Sequence, residues 1–563
     1  MNFESILPKN SKRREIAKKI YIRYFQKYTQ EEIKYKKWIK KNEPNKEEIQ
    51  RQRNYKFAIE PKISILVPMY NTPENFFDEL VKSLQNQTYS NWQLCLADGS
   101  PEPINYIQKY LNDERICYSI IGENKGISGN TNEALKLATG EYIGLLDHDD
   151  LLPVFSLYEI VKTINENPEV EFIYTDEDKL ENVKGPRYGV FFKPDFSPYT
   201  LNSANYICHF SIFKKELMDK LGGFRSEYDG SQDFDIVARA SEKTDKIVHI
   251  PKVLYHWRVH QNSTAGNSDS KPYAFEVGKK VIKDHIKRMY NTDVEVTDGL
   301  TPGSYEINYK IKSNPKVSII LDIANVDKER AEEILKEVRK TTYSNYEIIS
   351  ISDRNILNLE KNVEPDENKN ESYNKAIKSI TGEYFIIFDE NLLKIDRENY
   401  IETLLGICQD DNVAVVGTKL YNENDLVEHS GIIVGMNGSG DFLYKGAPKN
   451  AGTYMQRLTI IHNVTCSYIK YSLVSKKAFE EVNGFDINEK GIYTSIDFCL
   501  KQIENKKQII LNPVIAIKVK ELSDIQKDNE VAFIKKWNRQ YETGDRYFNP
   551  NLSKKDTNLS FNV

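Results

Sequence analysis

Leu146-Asp147-His148-Asp149-Asp150 sets three carboxylates within four positions, directly behind the apolar run Tyr142-Ile143-Gly144-Leu145. A run of that length and character predicts a buried strand, and the acids fall where the strand leaves the core. Carboxylates this close repel one another unless a cation or a shared proton neutralises them. Two readings follow. One is a divalent metal site at a strand's carboxyl end, where open parallel sheets bind ligands; the other is an acidic loop that caps the next helix.

The elements that must position these acids can be read from the preceding chain. Pro61 to Pro68 is a buried-strand run, and Pro73 stands at an expected first helical position, with Phe76, Leu80 and Leu84 on one face. A second strand, Trp92 to Ala97, runs into Asp98, and a helix expected from Asn130 to Ala138 ends at Gly140. Strands alternating with such helices predict an α/β domain with a mostly parallel sheet. The loops after Val67, at Asp98 and at Asp147 to Asp150 should converge at one edge. No G-x-G-x-x-G follows the first strand, which argues against a dinucleotide-dependent oxidoreductase.

The same order recurs. Lys316 to Ile320 echoes Lys62 to Leu66 and Thr342 to Ile348 echoes Thr88 to Leu94, both 254 residues apart; Thr381 to Phe385 echoes Thr139 to Ile143 at 242. Asn483-Gly484-Phe485 matches Gly222-Gly223-Phe224, and Ile496-Asp497-Phe498 matches Gln232-Asp233-Phe234. The chain therefore reads as two copies of one domain. The expected boundaries are a basic helical N-terminal arm over 1–60, a first domain over 61–270, a helical linker over 271–313, a second domain over 314–522 and a tail over 523–563.

At 563 residues the chain exceeds one compact core, and its composition, 39% hydrophobic and 29% charged, is that of a globular protein. Six cysteines are scattered singly, with no C-x-x-C pair, which argues against a zinc site or a disulfide framework. The start has neither a charged leader nor an apolar core, so a cytoplasmic location is expected, peripheral to the inner face of the membrane if the arm binds there. Residues 1–60 hold 17 Lys or Arg against eight Glu, a net +9, which leaves −14 of the overall −5 to the rest. Such an arm can meet an anionic membrane surface or an acidic acceptor, or pack as a helix against the body, where a homo-oligomer contact is an option. From Ser11 to Tyr28 the spacing of Ile16, Ile20 and Tyr24 predicts an amphipathic helix. No nucleic-acid reader motif accompanies the acidic body, so nucleic acid is not an expected partner.

Taken together, Ser64 to Asn71, Asp98-Gly99-Ser100, Asn124-Lys125-Gly126 with Asn132-Glu133-Ala134, Leu146 to Asp150, Gly222-Gly223-Phe224, Gln232 to Asp235 and Tyr255 to His260 resemble the family 2 glycosyltransferases, which have the GT-A fold. Tyr174 to Lys179 and Phe192 to Asp195 resemble the two-domain bacterial subgroup that assembles surface glycans. The resemblance implies two GT-A domains in tandem. It also implies transfer of a sugar from a nucleoside diphosphate to a hydroxyl of a lipid-linked or protein-linked glycan.

Residue by residue, the resemblance implies a donor site made by Pro68, Tyr70, Asp98, Lys125, Gly126, Asp147 and Arg258. Tyr70 offers a planar face, Asp98 can accept a uracil or thymine imide proton, and Gly126 lets backbone approach the ribose and diphosphate. Mn²⁺ or Mg²⁺ would sit on Asp149 and Asp147, with His260 as a further ligand and His256 the alternative. Arg258 would accompany His260 beside Ser263 and Thr264 on a polar lid. Asp233 matches the catalytic base position, which implies inversion, although Gln232 stands where many members have an acid and Asp233 could also cap a helix. In the second copy Val67 to Tyr70 becomes Leu321 to Ala324, and Asp147-His148-Asp149 becomes Asp389-Glu390-Asn391. That copy is expected to be catalytically degenerate; the alternatives are a bifunctional transferase and a non-catalytic glycan-binding scaffold.

Overall fold

The computed structural model describes residues 30–102, 104–260, 272–522 and 529–562. The helix expected from Ser11 to Tyr28, and Ser263 with Thr264, lie outside these residues.

Helices α1 (Gln30–Asn42) and α2 (Lys46–Asn54) come first, and Asn45 caps α2 by accepting from the N–H groups of Glu47 and Glu48 at 3.0 Å. Strands β1 (Ile63–Met69), β2 (Trp92–Asp98), β3 (Ile116–Ile120), β4 (Tyr142–Leu145), β5 (Phe172–Leu180), β6 (Arg187–Phe191), β7 (Ser211–Lys214) and β8 (Ile247–Arg258) form one sheet. Its order is β3-β2-β1-β4-β7-β5-β6, with β8 beside β5. β1 runs parallel to β2 and β4, and Ile63 lies opposite both Trp92 and Tyr142.

The unbroken apolar run of β1 follows from helices on both faces. Ile63, Ile65 and Val67 share a core with Phe77, Leu80 and Leu84 of α3 (Glu74–Gln85), while Leu66 packs with Cys95 and Ala134 of α4 (Gly126–Leu137). The chain leaves β1 to one side for β2 and returns to its other side as β4, so a crevice opens at the carboxyl ends of these strands. Helix α4 begins four residues before the expected Asn130. Its first turns hold small and polar residues, and Thr131 Oγ1 donates back to the Ile127 carbonyl at 2.7 Å.

A short helix α5 (Gln232–Ser241) precedes β8. The linker is half helix and half hairpin: α6 (Pro272–Tyr290) is followed by β9 (Val294–Asp298) paired with β10 (Tyr305–Tyr309). The second sheet repeats the first, with β11 (Val317–Asp322) parallel to β12 (Tyr346–Ile351), β13 (Lys361–Val363) at the far side of β12, and β14 (Tyr384–Asp389) on the other side of β11. The protein is thus an α/β fold with two Rossmann-like domains in tandem.

The described part of the N-terminal segment is not a separate basic arm. Tyr35 and Trp38 of α1 are buried against Phe192 and Val253 of the first domain, Val427 and Leu443 of the second, and Phe548 and Phe561 near the C-terminus. Residues 30–60 hold nine Lys or Arg against six Glu, so most of the basic excess falls outside the described residues. No helix among the described residues is long and apolar enough to cross a membrane.

Candidate active site

β1 hands on through Pro68 and Met69 to Tyr70, whose ring is 43% exposed, while β2 ends in Asp98, buried at 1%. Met69 and Asp98 are register partners, so Tyr70 and Asp98 emerge side by side. The Asp98 carboxylate accepts from Ser100 N–H at 2.9 Å and from the Tyr118 hydroxyl at 2.7 Å. Each oxygen keeps a second lone pair, which leaves capacity for a base imide proton. Gly126 opens α4 with φ 75°, and the space at its Cα is filled by this chain's own Asp229, whose other oxygen accepts Ser128 N–H at 3.2 Å. Lys125 pairs back onto Glu133 of the same helix at 2.9 Å.

The acidic strand end is two pairs and a buried anchor. His260 Nε2 lies 2.7 Å from Asp149 Oδ2. Asp147, with its side chain 41% exposed, has His209 Nε2 at 3.9 Å. Asp150 is fully buried and accepts from the Tyr255 hydroxyl at 2.5 Å and Arg258 N–H at 2.7 Å. Burial pushes the Asp150 carboxyl well above the usual carboxylate range, helped by the charges of Asp149 and Asp147. Asp147 is also raised, first by the loss of water around its carboxylate and then by the charge of Asp149, against the opposing pull of His209 and His148. A cation beside such acids would offset the like-charge repulsion. The residues fit one: ligand atoms of Asp147, Asp150 and His209 all lie within 4.8 Å of one another.

Arg258, expected at the donor, is committed elsewhere. It is 1% exposed, with Nε on the Asp149 carbonyl at 2.6 Å and a guanidinium nitrogen on Glu79 at 2.7 Å, so it braces the acidic loop. Of the two histidines left open by the sequence, His256 is turned to Asp178 at 2.5 Å, and His260 reaches the acids. Asp178 is also held by Arg187 and Tyr35, and Lys193 pairs with Glu177 at 3.0 Å. The stretches Tyr174 to Lys179 and Phe192 to Asp195 are therefore a buried scaffold beneath the site.

Asp233 is the second residue of α5 and does not cap it, because the cap position is Ser231. Its Oδ2 accepts from Asn205 Nδ2 at 2.9 Å. Asn205 and His209 have no spacing pattern of their own in the sequence, since they come from an irregular loop before β7. Their one sequence signal is polarity at the two ends of the run Tyr206-Ile207-Cys208.

The second domain gives an internal contrast. Ile143 pairs with Phe213 in the first sheet and Phe385 with Val474 in the second, so offsets of 242 and 261 set Asp389 on Asp147 and Lys470 on His209. Lys470 Nζ is 2.7 Å from Asp389. Asp497, opposite Asp233, is held by Lys501 and Lys536, each at 2.7 Å, and Lys536 also reaches Asp486 and Glu489. Both carboxylate clusters of the second domain thus carry a lysine ammonium as their cation.

Residues 64–222 match the model of "Glycosyl transferase family 2". The uncharacterized protein y4gI of Sinorhizobium fredii is 30% identical over 534 residues, covering 88% of this chain and 58% of that protein. The O-antigen biosynthesis protein RfbC of Myxococcus xanthus is 27% identical over 474 residues, covering 80% and 37%. Chondroitin synthase of Pasteurella multocida is 27% identical over 277 residues, covering 48% and 28%. The chain therefore spans between about a quarter and three fifths of the length of these relatives. Residues 64–222 form a family 2 glycosyltransferase domain of the GT-A fold, in a chain with homologues among bacterial surface-glycan synthases.

Proposed function

We propose that the first domain, residues 61–270, transfers a sugar from a UDP- or dTDP-sugar to a hydroxyl of a growing surface glycan, with inversion. The observation that carries this reading is the convergence of Tyr70, Asp98 and the acids of the β4 end at the carboxyl edge of neighbouring parallel strands. Names of relatives such as an O-antigen biosynthesis protein and a chondroitin synthase support a polysaccharide acceptor.

In this reading Tyr70 stacks on the base and Asp98 accepts its imide proton. Asp147 and Asp149 hold Mn²⁺ or Mg²⁺, with His260 on Asp149 and with Asp150 and His209 beside Asp147. A bound divalent ion would offset the negative charge that develops on the departing diphosphate. Asp233 takes the proton of the attacking hydroxyl on the oxygen that Asn205 leaves free, and one carboxylate base with in-line attack inverts the anomeric centre.

The second domain, residues 314–522, does not transfer sugar in this reading. Lys470 on Asp389 and Lys536 on Asp497 leave neither acid open to a divalent ion. It positions acceptor or partner instead.

The test is incubation of the full chain with UDP-, dTDP- and GDP-sugars and Mn²⁺, measuring slow nucleotide release. Release from UDP- or dTDP-sugars that stops on chelation is the expected result. Release confined to GDP-sugars contradicts the role given to Asp98, and indifference to metal contradicts the role of Asp147 and Asp149.

A further inference from the structure

We propose that Asn205 is a positioning residue for the Asp233 carboxylate. The inference rests on the reading of Asp233 as general base and adds to it the group that aims that base.

A carboxylate on the first turn of a helix is free to turn between rotamers unless a partner holds it. The Asn205 amide prevents this, since its Nδ2 donates to Asp233 Oδ2 at 2.9 Å and leaves Oδ1 for the acceptor hydroxyl. The orientation of the amide is favoured by its Oδ1, which accepts from the Cys208 N–H in a long contact of 3.4 Å. A neutral donor suits this position, because a lysine or arginine here would fix the carboxylate equally well but weaken it as a base.

The loop that carries Asn205 is itself anchored. Ala204 bridges to Ser304 of the linker hairpin, and the buried ammonium of Lys193 donates to the carbonyls of Ile207, at 2.6 Å, and His209 while pairing with Glu177. Cys208 faces Asp233 as a neutral thiol, pushed up by burial and by that carboxylate. One loop therefore sets Asn205 on the base and His209 beside Asp147. The second domain holds the equivalent acid differently: Asp497 is gripped by two lysines and the Trp537 indole.

The experiment compares Asn205→Ala, Asn205→Asp and Asp233→Asn in the full chain, measuring kcat, donor KM, UDP binding with Mn²⁺, melting temperature and the pH–rate profile. Asn205→Ala should lower kcat by roughly 10- to 100-fold, a share of what a well-placed base contributes, with donor KM, UDP binding and melting temperature unchanged. Asn205→Asp keeps the shape but sets a second carboxylate against the first, so the acidic limb of the profile should move to higher pH. If Asp233→Asn is inactive and Asn205→Ala turns over like the parent, the positioning role is wrong and the base reading stands. If Asn205→Ala loses UDP binding and melting temperature together with kcat, the role is merely structural and the proposal fails. Turnover by Asp233→Asn at the parent rate would remove the base reading and this proposal with it.

Discussion

Lys470 Nζ lies 2.7 Å from Asp389 in the second domain, at the place where the first domain sets His209 3.9 Å from Asp147. A permanent ammonium at hydrogen-bonding distance completes one site, whereas a longer contact to an imidazole leaves the other acid available. Burial opposes the charge of the fully buried Asp389, but Lys470 and the Tyr471 hydroxyl outweigh it and hold the carboxyl below the usual carboxylate range. Removing the lysine strands that charge, so Lys470→Ala should destabilise the chain by about 3–5 kcal/mol. Urea unfolding followed by tryptophan fluorescence measures it, and sugar transfer per folded molecule should stay at the parent rate. Loss of transfer at full folding would instead give the second domain a part in the chemistry.

Asp149→Asn separates the one-site reading from the two-site reading. The acid is paired with His260, and its backbone carbonyl holds Arg258, a contact the substitution leaves intact. Weaker metal binding removes a contribution of several kcal/mol to charge stabilisation, so transfer should fall by about 10³-fold or more. Product analysis decides the matter, because transfer of a different sugar by the variant would reveal a working second site.

His249 makes the first domain's stability depend on pH. Its imidazole is buried, with Asp176 at 2.9 Å and Asp195 at 3.4 Å, and Asn549 from the C-terminal segment donates to the same Asp176 carboxylate at 2.9 Å. Burial opposes its charge, but the two carboxylates outweigh burial and raise its pKa above the ordinary value. The folded chain then holds a proton that the unfolded chain releases near pH 6.5. That contribution is complete below the unfolded pKa and is lost as pH rises through the higher folded value. Melting temperature should therefore fall with rising pH in that window, and His249→Gln should flatten the slope. A parent protein whose melting temperature rises there would contradict it.

Much of this arrangement is legible in the chain itself. β1, β2 and β4 announce themselves as apolar runs, and the repeat spacing of 254 and 242 residues exposes the second domain. The acids are legible because a cluster of like charges at a strand end is improbable without a purpose. Their partners are not: His209 and Asn205 arrive from an irregular loop whose place depends on Lys193, Glu177 and a hairpin about a hundred residues later. Likewise, nothing near His256 betrays that Asp178, on the neighbouring strand β5, claims it. The N-terminal segment departs from its composition for a related reason. Its lysines dominate the count, but Tyr35 and Trp38, three residues apart on one face of α1, decide where the described part goes.

Trp38 supplies the last prediction. Its ring packs 4.9 Å from that of Phe192 and 5.6 Å from that of Tyr35, and Tyr35 in turn lies 5.9 Å from Phe561. The Tyr35 hydroxyl donates to Asp178 at 2.5 Å, and Glu43 at the end of α1 pairs with Arg187, which also holds Asp178. The helix thus clamps β6 to the C-terminal segment from outside, and its five lysines face solvent because its aromatic side does not. Trp38→Ala should cost about 3–5 kcal/mol through the lost burial and the cavity left behind. Changing Lys34, Lys37 and Lys40 together to Gln should leave stability nearly unaltered, within roughly 0.5 kcal/mol per site. The contrast is read from two denaturant curves. If the lysine variant is the one that unfolds early, the segment is held by charge rather than by its aromatic face, and the clamp is wrong.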